Sequence, residues 1–467
     1  MKKNALIVAA LALIVIASAA AVALLHTGAL TQLSGKNGCV ARSGSGCSRG
    51  LAVSRAGNVI VSADGKNVYV SGGVGSLSEI AAFKRKPTTG ALAQLPGKKG
   101  CVPFAGYGGG KVCTSGRSID TPSSLTLSPD GKSLYVAATN SLGVDVFARN
   151  ASTGVLTQLA GKDGCLTLKG TDGTCTTAAG LGQAAGVAVS TDGANVYVAG
   201  SAIAAFSRNT ATGALTQLPG VAACVDSDGS APCTSARGLL ALRSIALSPD
   251  GKSVYVAGGG GAHGSLAVFA RNPATGAISQ LAGAQGCFSH NGEDGTCTPI
   301  SSLAQAESIA ISPGGTNVYV ASLVSSSVSV FARNTGTGAL TPLAGTLGCV
   351  SSGGSSGKCA TGRALANASS VALSRDGKTV YVTATNWKKG GLAVFARNSA
   401  SGALTQLSGK QGCYGSKAIG CTTVRGVTSR PITYGSNVYG PGGVAVSPNG
   451  KSVYEVGGAI SIFSRKS

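Results

Sequence analysis

A block of about sixty residues is written seven times along this chain, and the last copy is completed by the first residues. The block reads S-x-A-L-S-P-D-G-K-x-V-Y-V-A, then V-x-V-F-A-R-N, then T-G-A-L-T-Q-L-x-G-x-x-G-C, then a second Cys. The aromatic of V-Y-V falls at Tyr69, Tyr135, Tyr197, Tyr255, Tyr319, Tyr381 and Tyr454. The seventh copy stops after Phe463-Ser464-Arg465, and its missing G-A-L-T-Q-L stands at residues 28–33. A repeat completed in this way describes a closed ring.

One unit spells four strands. Ser244 to Ser248 alternates polar and apolar as a half-buried strand does. Pro249-Asp250-Gly251-Lys252 is a tight turn, with Pro presetting φ and Gly tolerating a positive one. Val254 to Ala257, Ser265 to Arg271 and Ala277 to Leu281 follow as further strands. Four antiparallel strands per unit, seven times over, predict an all-β seven-bladed β-propeller. The strand at about residues 28–33 completes the last blade, and residues 24–467 form one domain. Such blades bury their faces against one another and leave few open edges.

Lys2 and Lys3 precede an apolar run from Ala5 to Leu25, with small residues at Ala17-Ser18-Ala19 and Ala21-Val22-Ala23. Residues 1–23 read as a secretory signal peptide, and otherwise as a membrane anchor. Either reading places the body outside the cytoplasm, secreted or in the cell envelope. The fourteen Cys agree, falling into seven close pairs, one per unit. The expected disulfides are Cys39–Cys47, Cys101–Cys113, Cys165–Cys175, Cys224–Cys233, Cys287–Cys297, Cys349–Cys359 and Cys413–Cys421. Zinc does not suit these pairs, because no C-x-x-C occurs and the histidines are only His26, His263 and His290. No metal or cofactor is expected.

Lys and Arg number 38 against 16 Asp and Glu, a formal charge of +22. An anionic partner is one reading: nucleic acid, an acidic glycan, a wall polymer or lipid headgroups. Much of the charge nevertheless belongs to the repeat, at the F-x-R arginines (Arg85, Arg149, Arg208, Arg271, Arg333, Arg397, Arg465) and at turn lysines such as Lys252. These read as cations of a solvated surface spread around the ring.

The S-P-D-G-K-x-V-Y-V-A and V-x-V-F-A-R-N blocks resemble the seven-bladed lactonase-type propellers, the 6-phosphogluconolactonase and carboxymuconate-cyclase group. They also resemble the Y-V-T-N repeat propellers of cell-surface proteins. The resemblance spans nearly all of residues 28–467 and implies the fold, since these blocks are blade framework without chemistry. The Cys pairs and the leader depart from the cytosolic lactonases and argue against an intracellular phosphosugar substrate.

Residues shared by every blade serve the blade, so the exceptions are the candidates for function. Five positions before the Ser that closes each inner strand stand Gly57, Ser123, Ala185, Arg243, Glu307, Ser369 and Gly442. Arg243 and Glu307 break the pattern from neighbouring blades, as an acid/base pair or substrate clamp at the channel mouth, or as an inter-blade ion pair. By the same alignment Asp120, Gln183, Gln305 and Asn367 lie nearby as polar contacts. His263, in a Gly-rich loop, is a candidate proton shuttle, and Trp387 with Lys388 a candidate ring-stacking or anion contact. Asp226-Ser227-Asp228-Gly229 only faintly resembles a calcium loop. The turn aspartates are structural. There is no H-E-x-x-H, C-x-x-C-H or phosphate loop, and no G-x-S-x-G elbow on a strand–turn–helix.

Two functions fit these features. The first is a non-catalytic surface or extracellular protein binding a small molecule, glycan or surface partner through disulfide-bearing loops that crown one face around the channel. The alternative is a lactonase-like hydrolase, or a cyclase or lyase, acting on a small ring ester, with Glu307 as base, Arg243 as anion stabiliser and His263 as shuttle. No specific nucleic acid is expected, membrane contact requires an uncleaved leader, and a single ring is expected to be self-sufficient as a monomer.

Overall fold

The computed structural model describes residues 27–466, apart from residues 44–45, 54, 74–76, 106–111, 172, 293–294, 387–390, 416–419, 428–431, 435–436 and 440–441. Residues 1–23, expected as a signal peptide or anchor, and His26, Trp387 and Lys388 therefore lie outside the described residues. Seven antiparallel blades form a ring, with no α-helix among the described residues.

In blade four the inner strand Leu242–Leu247 pairs with Ser253–Gly258, which pairs with Ser265–Arg271. The second strand carries Val-Tyr-Val and is buried along its whole length, because a blade neighbours it on either face. The fourth strand differs from expectation. It is split into Ile278–Gln280 and Cys287–Ser289, both paired with the third strand, around a short 3-10 turn at Gly283–Gln285. A fifth piece, Thr298–Pro299, runs parallel to the Cys segment. The Gly of G-x-x-G-C permits this detour, as Gly283 has φ of 59°.

Ring closure is direct. Leu30–Gln32 pairs with the last strand, setting Leu30 opposite Arg465 and Gln32 opposite Phe463. Tyr381 donates its hydroxyl proton to the Gly28 carbonyl (2.9 Å), just as Tyr255 does to Gly338 in an uncut blade (2.7 Å). Seven apolar clusters hold the ring, one at each blade–blade boundary, and the cluster joining blades seven and one is as complete as the rest.

The F-x-R arginines are not surface cations. Arg333 is 5% exposed. Its Nε donates to the Tyr255 hydroxyl of the preceding blade (2.6 Å), its Nη1 to the Gly315 carbonyl, and its Nη2 to Asp250 (2.9 Å). Four further blade boundaries carry the same ion pair, Arg149–Asp64, Arg208–Asp130, Arg271–Asp192 and Arg465–Asp376. In F-x-R the aromatic and the Arg are two residues apart, so both face the neighbouring blade. The turn aspartates are structural, as expected, and they also clamp blades together. Burial works to raise the Asp250 carboxyl, but hydrogen bonds from Ser248, the Lys252 amide and Arg333 outweigh it and hold it below its usual range.

All seven expected disulfides are present. The first Cys of each pair begins the outermost antiparallel segment, at the far edge of the sheet from the inner strand. They bind the perimeter and do not crown the channel.

Candidate active site

In blades one, two, four, five and six the inner strand enters the ring through a bulge. In blade four Leu242 pairs with Gly258 and Ser244 with Ala257, which leaves Arg243 unpaired. In blade five Glu307 is left unpaired in the same way between Ala306 and Ser308. At one equivalent position in six blades, two residues before the bulge where there is one, the backbone is left-handed, at Arg55, Thr121, Gln183, Ala241, Gln305 and Asn367. A non-glycine residue there costs about 1–2 kcal/mol. Because six blades repeat it, the strain belongs to the framework; only the side chain two residues on varies. A bulge re-aims that side chain, and here the residue at this position lines a central cavity.

The result is a cavity of about 160 Å³ at the centre of the ring, lined by inner-strand residues of all seven blades. Its wall contains Gly57, Ser123, Ala185, Arg243, Glu307 and Ser369, so six of the seven positions singled out in the sequence meet there. In the seventh blade Gly443 lines the wall instead of Gly442. The following residue lines it too in six blades: Asn58, Ser124, Gly186, Ser244, Ser308 and Ser370. Four of these serines accept a hydrogen bond from an amide of the next blade, as Ser244 does from Ile309 (3.2 Å). Small and hydroxylated residues thus leave room around one acid and one base.

Glu307 and Arg243 are not joined as an ion pair; the ion pairs among the described residues are the five framework clamps. Gln305 donates its amide to Glu307 Oε1 (2.8 Å). Burial pushes the Glu307 carboxyl up, and the Arg243 charge and the Gln305 hydrogen bond only partly offset this, leaving it above the usual glutamate range. Arg243 Nε and Asn58 Oδ1 are buried without a partner in the protein. One unsatisfied donor and one unsatisfied acceptor in a polar cavity wall are suited to a polar ligand. Arg55 adds a second cation at the rim.

The other candidates lie elsewhere. Gln305 acts through Glu307. Asp120 accepts from Ser78 (3.0 Å) and Thr121 (3.2 Å), and neither it, Gln183 nor Asn367 lines the cavity. His263 is exposed on its loop outside the cavity wall, where its carbonyl accepts from the Gln305 amide (3.2 Å), so the shuttle role has no support from its position. The Asp226 carboxylate caps its own loop at the Asp228 and Gly229 amides, a local turn.

Sequence reasoning missed Arg55, Asn58 and the serines, all legible as positions flanking the bulge. It also missed Glu455, which replaces the second Val of V-Y-V in blade seven. Glu455 is 4% exposed, its Oε2 is without a partner, and burial pushes it up to about 8, against a hydrogen bond from Ser461. It lies behind the glycine gap of the seventh blade, with Oε1 3.6 Å from where a Cβ on Gly442 would stand.

Comparison with known proteins agrees with this ring. Residues 200–354 match the family model described as Lactonase, 7-bladed beta-propeller. The fold is that of a seven-bladed β-propeller, with the lactonase match confined to residues 200–354. The periplasmic gluconolactonase PpgL of Pseudomonas aeruginosa is similar in structure, with TM-score 0.51, 19% identity, and coverage of 88% of this chain and 92% of that one. Hydrazine synthase of Kuenenia stuttgartiensis is similar at TM-score 0.50 and 14% identity, covering 91% of this chain and 99% of that one. Two such different chemistries on one architecture mean that the likeness speaks for the fold. No curated protein matches the chain.

Proposed function

We propose that this lactonase-type propeller is a hydrolase that opens small lactones in its central channel. The observation that carries this reading is the convergence of Glu307 and Arg243, each on a bulge of an adjacent blade, in one small polar cavity. The non-catalytic reading is less well supported, because the disulfide loops on which it rested lie at the outer edge. The match to the lactonase family model favours the same choice.

The chemistry is balanced by these two side chains. The Glu307 carboxylate takes a proton from water as the water oxygen bonds to the lactone carbonyl carbon. Negative charge then develops on the carbonyl oxygen, where Arg243 donates N–H bonds to it. As the tetrahedral intermediate collapses, the ring C–O bond breaks and Glu307 returns its proton to the ring oxygen. The product is the open hydroxy acid. Serine hydroxyls and Asn58 offer hydrogen bonds to a hydroxylated substrate. Seven disulfides fit an oxidising compartment, and with the leader they support work outside the cytoplasm.

A panel of five- and six-membered lactones tests the reading by proton release at constant pH. The wild type should open at least one of them, and Glu307→Gln should lose about 10²-fold or more in kcat with its melting curve intact. Turnover by Glu307→Gln equal to the wild type would sink the assignment.

A further inference from the structure

The ring is not electrically uniform around its perimeter. The 3-10 turn that splits each outer strand carries exposed lysines in four consecutive blades: Lys410 in blade six, Lys36 in blade seven, Lys98 and Lys99 in blade one, and Lys162 in blade two. In the other three blades the same turn is Gly220–Ala222, Gly283–Gln285 and Gly345–Gly348, without a cation. Asp163, beside Lys162, is the one acid in the four basic turns. No lysine takes part in an ion pair among the described residues, since all five pairs use arginine.

The turns are held rigidly, and the disulfides do the holding. The residue after each second Cys reaches back to the carbonyl of the turn lysine: Thr422 to Lys410 (2.8 Å), Ser48 to Lys36 (3.0 Å), Thr114 to Lys98 (3.0 Å) and Thr176 to Lys162 (3.3 Å). Arg425 adds a clamp between blades, donating to the Gly35 carbonyl (2.7 Å) and the Gly46 carbonyl (2.8 Å). Lysine backbones are thereby anchored blade by blade at the outer edge, which lowers the ordering cost for a ligand.

We infer that this arc of blades six, seven, one and two binds a flexible, extended polyanion, of the class of acidic polysaccharides. A flat anionic bilayer would meet a convex edge at one or two blades only, whereas a flexible chain can follow all four. Base stacking has no platform, because the exposed large apolar side chains among the described residues include no aromatic. The channel and the arc are separate, so this inference stands independently of the lactone chemistry.

The test is titration of the full chain with polygalacturonate at several salt concentrations. Replacing Lys36, Lys98, Lys99, Lys162 and Lys410 together by Gln should weaken binding at least tenfold and flatten its salt dependence. A charge-matched variant with Lys66, Lys132, Lys252, Lys378 and Lys451 replaced by Gln should bind like the wild type. Equal losses in both variants, loss in neither, or binding to phosphatidylglycerol vesicles in place of the polymer would overturn the inference. Circular dichroism of both variants guards against misfolding.

Discussion

Glu455 sits where other blades place the second Val of V-Y-V, and its cost depends on pH. Its folded carboxyl is pushed up to about 8 from 4.5, so the folded state binds the proton more tightly than the unfolded chain. Stability from that proton is fully present below the unfolded value and is lost as pH rises toward 8. Glu455→Val restores the residue of the other blades, and its melting temperature should fall less than that of the wild type between mildly acidic and mildly alkaline buffer. Parallel melting of the two proteins across that range would count against a buried carboxyl with one unpartnered oxygen. Glu455 is hard to read in the sequence because it stands inside the V-Y-V block, whose residues are blade framework. Arg243 and Glu307 were legible because an inner-strand repeat of small residues makes any large polar one conspicuous. Their separation was not, since an ion pair and two independent wall groups look alike in sequence.

Between blades, the element that matters is the Arg–Tyr–Asp clamp, and the chain contains its own mutagenesis. At the turn Asp position blade five has Gly314 and blade seven Asn449, yet Arg397 still donates to the Tyr319 hydroxyl (2.6 Å) and Arg85 to that of Tyr454 (2.6 Å). The carboxylate is thus dispensable and the guanidinium is not. Asp250, with its side chain 30% exposed, should cost within about 1 kcal/mol as Asp250→Asn. Arg333→Ala strands buried acceptors and removes packed methylenes, and should cost roughly 2–4 kcal/mol. Urea unfolding of the two variants decides, and an equal cost would refute this ranking. These arginines read as surface cations because Arg beside a turn usually is one; the F-x-R spacing, which puts Phe331 and Arg333 on one face, was the available signal. The split of the outer strand was not legible, as nothing in G-x-x-G-C separates a loop from a turn that rejoins the same sheet.

At the scale of the whole molecule, closure was the most legible property, because a unit cut across the chain ends has only one way to be completed. Seven similar blades then give a ring whose framework strain, clamps and bridges repeat, so function must reside in departures from symmetry. Two departures stand out: a central pair, Arg243 and Glu307, and a perimeter of which about half the turns carry lysine. The disulfides, expected around the channel, serve the perimeter instead, because the Cys follows the turn back onto the outer edge of its own sheet. The central claim is that the channel pair works on a ligand and does not brace the blades. The double variant Arg243→Ser and Glu307→Ser, which gives both blades the small residue of Ser123 and Ser369, tests it in one preparation. Melting at or above the wild-type temperature with lactone turnover abolished is the predicted result. Retained turnover, or a large loss of stability, would contradict it.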